Sequence, residues 1–245
     1  MKPLIVATND DGVAASGLRV LVEAVTGLGD VIVCAPAEER SGSSHAITFH
    51  THLRAESAGE GWWRVSGTPV DCVYLAMHHL CGRFPDLVVS GVNAGYNLGS
   101  DVFYSGTVGA AVEAYLRGVS AIAVSAERGA DPLHAIPAVR RIAESVLAGG
   151  RPLLLNVNVP PVADQPPPIQ VTRLGSRKYV DTVDSRTDPQ GRTYYWIGGP
   201  PTRAEDREGD DTWAVANGRI SVTPLEMDIT AADLDPVRRL LEEPQ

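Results

Sequence analysis

The sequence predicts an α/β protein: a mainly parallel sheet covered by helices, then a C-terminal extension richer in strands that closes on a helix. Two observations carry this. Short apolar runs alternate with amphipathic segments from Leu4 to Val157, the order that parallel crossover units require. The alternation stops at Pro160-Pro161, and Pro166-Pro167-Pro168 marks a shift in composition. The expected division is a core over 1–160 and an extension over 161–245 that packs on the core or on a second subunit.

The first run, Leu4 to Ala7, reads as a buried strand. It ends in Thr8-Asn9-Asp10-Asp11-Gly12, so two adjacent carboxylates sit at the mouth of the sheet. Like charges side by side need an offset, which a hard divalent cation such as Mg²⁺, Mn²⁺ or Ca²⁺ supplies most directly; alone, the same residues also make an ordinary turn. Leu18, Leu21, Val22 and Val25 then form one stripe of a helix, with Ser16 placed to cap it and Gly27 and Gly29 to end it. Val31 to Ala35 is a second buried strand, closed by Pro36. Ligands of such sheets lie outside the carboxyl ends of the strands, where Asp10 and Asp11 fall.

The loop from Pro36 to Thr48 holds Arg40-Ser41-Gly42-Ser43-Ser44-His45 and emerges at the same edge. It is either a solvated polar loop or a source of ligands to a shared site. His50 and His52 share one side of a strand, a spacing open to metal binding but better explained by the exposed face of a hairpin arm running through Arg54 and back through Trp62 to Val65. Thr68, Pro69 and Asp71 make a capping-box helix start, so they are assigned to structure. Leu87 to Ser90 is the next strand, running into Gly91-Val92-Asn93-Ala94-Gly95-Tyr96-Asn97-Leu98-Gly99, whose glycines suit close approach of backbone to a ligand. Ser105, Gly106 and Thr107 open a helix of small and apolar residues ending at Gly118. Its first turn is either a Ser/Thr cap or a phosphate cradle.

Ala121 to Ser125 and Leu153 to Val157 are further strands, separated by an amphipathic helix over Leu133 to Leu147. In the extension, Ile169 to Arg173, Thr193 to Ile197 and Ile220 to Pro224 read as strands, with a polar segment around Asp188-Pro189-Gln190-Gly191. Thr230 is expected to cap a last helix carrying Leu234, Val237, Leu240 and Leu241.

Composition narrows the function. With 245 residues, 44% of them hydrophobic and 21% charged, the chain can bury a full core, so disorder is not expected. A formal net charge of −9 argues against nucleic-acid polymers or anionic membranes as partners. Cys34, Cys72 and Cys81 are odd in number, without metal-type spacing, and fit reduced core thiols of a cytoplasmic protein. No apolar run nears the roughly 18 residues of a membrane span, and Met1-Lys2-Pro3 leads straight into a strand, so a soluble, unexported protein is expected.

Five stretches in order, Asn9-Asp10-Asp11-Gly12, Arg40-Ser41-Gly42-Ser43-Ser44, Gly67 to Val73, Val89 to Gly99 and Tyr104 to Val108, are similar to those of the SurE (survival protein E) family of metal-dependent nucleotidases. The similarity spans nearly the whole chain. It implies a Rossmann-like three-layer core, one divalent metal ion (Mg²⁺ or Mn²⁺) on Asp10, Asp11, Ser41 and Asn93, and hydrolysis of nucleoside monophosphates. In the family this covers 5′- and 3′-nucleotides and, in some members, short polyphosphate. It also implies a homodimer or homotetramer built through the C-terminal arm. Asn97, Ser43, Ser105, Gly106 and Thr107 become candidates for phosphate or substrate binding. Asp10 and Asp11 are candidates for catalysis as well as metal binding, with Asn9 orienting the carboxylates. Two departures stand out: Ala15-Ser16-Gly17 replaces the usual Ala-Pro-Gly, and Gly209-Asp210-Asp211-Thr212-Trp213 adds a charge at Asp210 while keeping the acid at Asp211.

Competing classes fit less well. A phospho-accepting receiver needs an Asp at the end of the middle strand, where this chain has Ser90-Gly91-Val92-Asn93, and a Lys after the last. A dinucleotide-dependent oxidoreductase needs Gly-x-Gly-x-x-Gly after the first strand, which is absent. A nucleotide-binding protein without catalysis is distinguished only by assay.

Overall fold

A computed structural model describes residues 2–161, 166–179, 182–199, 201–202 and 207–242. The central strand is β1 (Leu4–Thr8), buried along its whole length. It is flanked by the parallel strands β2 (Asp30–Pro36) and β5 (Leu87–Ala94). The sheet extends through β6 (Ser120–Ala126) and β7 (Leu154–Val159) on one side. On the other it ends in a hairpin of β3 (Ala55–Gly59) and β4 (Trp62–Val65), where β4 runs parallel to β2.

Alternation along the strands makes three layers. Ile5 and Ala7 point to one face and Val6 to the other; Leu87 and Val89 oppose Val88 in the same way. The first face is covered by α1 (Ser16–Val25) and α4 (Ile136–Leu147), the second by α2 (Pro69–Leu75) and α3 (Gly106–Leu116). Strands buried on both faces need no polar side, which is why they read as continuous apolar runs.

Local signals match in α2, where Thr68 and Asp71 form the expected capping box, and α2 continues into a π-helical turn over Ala76–Leu80. At α1 the expectation fails: the N-cap is Ala15 with no side-chain cap, and Ser16 is already helical. The strand expected to stop at Ser90 continues to Ala94, with a register shift against β6 between Ser90 and Asn93. Gly91 has φ +132°, and a Cβ there would collide with the Val124 carbonyl, so this irregular strand requires glycine.

The segment beyond Pro161 shares the core's sheet. β13 (Ile220–Leu225) lies antiparallel beside β7, and β8 (Ile169–Val171) closes the edge, completing a nine-stranded sheet in the order β3-β4-β2-β1-β5-β6-β7-β13-β8. Outside it stand β9 (Lys178–Tyr179) paired with β12 (Pro201–Thr202), and a hairpin of β10 (Thr182–Thr187) and β11 (Thr193–Gly198). A short helix, α5 (Asp211–Ala216), was not expected from the sequence. The last helix, α6, runs Asp235–Glu242, so Thr230 does not cap it; the Asp233 carboxylate instead accepts from the Asp235 N–H at 2.9 Å.

Candidate active site

The order of strands around β1 sets the position of the site. From β1 the chain passes to β2 on one side, while β5 joins on the other, so β1 and β5 flank a topological switch point whose crevice opens at their carboxyl ends. Asp10 follows β1 and Asn93 lies near the end of β5. A cavity of about 340 Å³ opens there, lined by Asp10, Ser41, Asn93, Asn97 and Ser105, with Arg128 among the others.

Asp10 is 3% exposed, and one carboxylate oxygen accepts a short hydrogen bond from the Thr107 hydroxyl. Burial, opposed by that bond and reinforced by the charge of Asp11, pushes its carboxyl up to about 6. Asp11 is half-buried and is raised by burial first and then by Glu39. It lines the adjacent cavity of about 270 Å³, which shares Asn93 with the first. The two carboxylates thus approach Asn93 from neighbouring hollows.

The loop carrying Ser41 and Ser43 is tied to this edge by backbone. The Arg40 N–H donates to the Asp10 carbonyl at 2.7 Å, and the Val13 N–H to Pro36 at 2.8 Å. Ser41 donates to Glu39 at 2.7 Å, a contact it would exchange to serve as a metal ligand. Farther along, the Ser44 hydroxyl donates to the Phe103 carbonyl at 2.5 Å, and His45 meets the buried Glu113 of α3 at 3.0 Å. The loop is therefore fastened to α3 as well as to β1. Gly106 brings the head of α3 close to both loops: a Cβ there would lie 2.7 Å from the Ser43 hydroxyl oxygen and 3.0 Å from the Asp10 Cβ.

Ser105 caps α3, accepting from the Val108 N–H at 3.1 Å, and also lines the cavity. The cap and the phosphate-cradle readings are compatible, because the N–H groups of Gly106 and Thr107 belong to the same first turn. Thr107 is fully buried, so its hydroxyl is committed to Asp10 rather than open to the cavity. Asn9 is fully buried; its amide donates to the Gly12 carbonyl at 3.0 Å, which shapes the turn, while its side-chain oxygen has no partner. The Ser43 hydroxyl is likewise buried and unpartnered. Two orphaned polar atoms beside two desolvated carboxylates fit a site completed by a cation and an oxyanion. Among the described residues no three His, Cys, Asp or Glu side chains converge. The oxygen-bearing side chains of Asp10, Asp11, Ser41 and Asn93 that line the two cavities are of the type a hard divalent ion takes as ligands.

Asn97 lines the cavity from an immobilised position. Its N–H donates to Asn158 at 2.9 Å, its amide to Ser125 at 2.9 Å, and its carbonyl accepts from Asn156 and Asn158. The sequence reading missed Asn156 and Asn158, which sit in an apolar strand and look like interruptions of it. Asp211 was noted only as a retained acid; it is fully buried and accepts from the N–H groups of Gly99, Gly175 and Thr212, fastening the far end of the Asn93–Gly99 segment to the C-terminal part. Burial outweighs these donors and raises its carboxyl. Asp210 pairs with Arg173 at 2.7 Å. His50 and His52 are exposed, precede β3 rather than sharing a strand face as expected, and line neither cavity.

The sequence pattern of the family described as Survival protein SurE matches residues 5–181. The chain belongs to the SurE family. A 5′-nucleotidase SurE from Geotalea daltonii is 48% identical over 92% of this chain and 94% of its own length, and one from Sorangium cellulosum is 46% identical over 98% and 96%. The crystal structure of the SurE protein from Aquifex aeolicus superposes with a TM-score of 0.85 at 38% identity, covering 98% of this chain and 100% of the other. SurE membership implies a divalent metal cofactor, which the donor set at the β1–β5 switch point can accommodate.

Proposed function

We propose that this protein is a divalent-metal-dependent phosphomonoesterase that hydrolyses nucleoside monophosphates to nucleoside and phosphate. The observation that carries the reading is the buried Asp10, bonded to Thr107 at the head of α3 and sharing a cavity with Ser41, Asn93 and Ser105. The relatives bearing the name 5′-nucleotidase support the substrate class.

Asp10 and Asp11 would hold one metal ion by charge, with Ser41 and Asn93 adding neutral oxygens. A bound Mg²⁺ or Mn²⁺ supplies positive charge for the phosphoryl oxygens and acidifies water at neutral pH. The first-turn N–H groups at Gly106 and Thr107, with Ser105 and Ser43, hold the phosphate against the head of the helix. Asn9 keeps the turn that presents both carboxylates, and Thr107 fixes the rotamer of Asp10. Asn97 forms the opposite wall, anchored through Asn156 and Asn158.

We further assign residues 1–160 to catalysis and 161–245 to an extension whose hairpin joins protomers into a homodimer or homotetramer. Val183, Tyr195, Trp196 and Ile197 of that hairpin are exposed, an apolar surface that a partner subunit would cover. Among the described residues no helix is long and apolar enough to cross a membrane, and the free thiols at Cys34, Cys72 and Cys81 suit a cytoplasmic setting.

The test is phosphate release from AMP with Mg²⁺, Mn²⁺, Ca²⁺ or Zn²⁺, and with excess chelator. Release with at least one metal and its loss on chelation are expected. No release with any metal overturns the reading.

A further inference from the structure

The metal and helix-head groups account for one wall of the cavity and leave Arg128 unused. Arg128 lies just beyond β6, next to the loop that follows Asn93. Its Nη2 is 3.7 Å, and its Nε 4.0 Å, from where a Cβ on Gly95 would stand, so the guanidinium lies over a backbone that carries no side chain. It lines the same cavity as Asp10, Asn93 and Ser105. The charged side chains of that lining are Asp10, Asp101 and Arg128, and Asp101 is paired with Arg177 at 2.8 Å. Arg128 is thus the one cation of the lining among the described residues, in a protein of net charge −9 that must admit a phosphate dianion.

Arg128 also has an electrostatic effect on Asp11, lowering its carboxyl against burial and Glu39. Two roles therefore compete: a counter-ion for Asp11, or a ligand for the anionic group of the substrate. The cavity favours the second. Arg128 and the head of α3 both border the volume where a phosphate would lie, whereas Asp11 opens into the neighbouring cavity, whose lining does not include Arg128. A guanidinium presents paired N–H donors that match two phosphate oxygens at once, and its exposed position lets it meet the ligand as it enters.

We propose that Arg128 binds the phosphate of the substrate from the side opposite the head of α3 and sets substrate affinity. This rests on the phosphomonoesterase reading above, which the wild-type arm of the experiment tests separately.

The experiment measures kcat and KM for AMP and for p-nitrophenyl phosphate, together with competitive inhibition by inorganic phosphate, for wild type, Arg128→Lys, Arg128→Ala and Arg128→Glu. Arg128→Ala is expected to raise both KM values and the phosphate inhibition constant by about 10-fold or more, while kcat changes by less than about 3-fold. Arg128→Lys should fall between, because it keeps the charge and loses the fork, and Arg128→Glu should exceed Arg128→Ala. Unchanged KM and phosphate inhibition in Arg128→Ala overturn the proposal, even if its metal requirement shifts, since that is the signature of a counter-ion for Asp11. A rise in KM for AMP alone, with p-nitrophenyl phosphate and inorganic phosphate unaffected, also overturns it by placing the contact on the nucleoside. Absence of hydrolysis by wild type contradicts the phosphomonoesterase reading instead, and phosphate binding by calorimetry on the same four proteins then decides Arg128: unchanged affinity on its removal overturns the proposal.

Discussion

Asp10 is placed where a charge is poorly solvated, next to another carboxylate, with one hydroxyl donor to offset the burial. Such a position is tolerated for function at the expense of stability. Asp10→Asn should therefore raise the melting temperature of chelator-treated protein at pH 7, by an amount equivalent to about 1–3 kcal/mol, while lowering metal-dependent hydrolysis at least about 100-fold. Thermal melts and AMP turnover on the same preparation check this. Asp86 shows the opposite sign. It accepts from the Leu4 N–H at 2.7 Å and pairs with Arg83, and these hold its carboxyl below the usual range. A lowered folded-state pKa means stability that is present above about pH 4 and lost as pH falls through the folded value. Because the group is 47% exposed, the effect is modest: Asp86→Asn should cost about 0.5–1 kcal/mol at pH 7, with the gap closing in urea titrations as pH falls below the ordinary carboxylate range. Asp10 and Asn93 were legible as cavity-lining residues because oxygen-bearing side chains at strand ends are conspicuous, while Ser41, in a long polar loop, stood out only through the family resemblance. Arg128, Asn156 and Asn158 were not, because their roles depend on which loops and strands become neighbours.

At the level of elements, α1 presses against the irregular end of β5. A Cβ on Gly17 would collide with the Val92 carbonyl oxygen, one residue before Asn93. Gly17→Ala is expected to cost about 1–3 kcal/mol and to lower kcat/KM beyond what unfolding explains, since the displaced backbone carries a proposed metal ligand. Gly27→Ala is the comparison: it has open space but φ +89°, so it should destabilise by about 1 kcal/mol and leave turnover intact. Calorimetric melts with steady-state kinetics separate the two. The regular elements were readable because double-sided burial and helical stripes repeat along the chain. The continuation of β5 through Gly91 to Ala94 reads as loop in the sequence, since its glycines suit close approach to a ligand, whereas at Gly91 it is the Val124 carbonyl of the neighbouring strand that demands glycine. β10 was missed because Thr-Val-Asp-Ser-Arg-Thr has no apolar run and gains its strand from pairing with β11.

For the whole molecule, the order of strands decides where chemistry sits. Loops after β1, β2 and β5 and the head of α3 meet because β1 lies between β2 and β5. The sequence indicated parallel crossovers, but the participation of β8 and β13 in the same sheet depended on long-range pairing. The exposed β10–β11 hairpin carries the assembly prediction: Trp196→Asp with Ile197→Asp should shift the protein to monomers in light scattering behind size exclusion, with β-sheet content unchanged. The central claim, that the β1–β5 switch point assembles one divalent-metal site, is tested most directly by calorimetric titration of Mn²⁺ into wild type, Asp10→Asn, Asp11→Asn, Ser41→Ala and Asn93→Ala. One site in wild type, weakened at least about 10-fold in each variant and most in the two carboxylate variants, is the predicted result. Wild-type affinity retained in both Asp10→Asn and Asp11→Asn would contradict it.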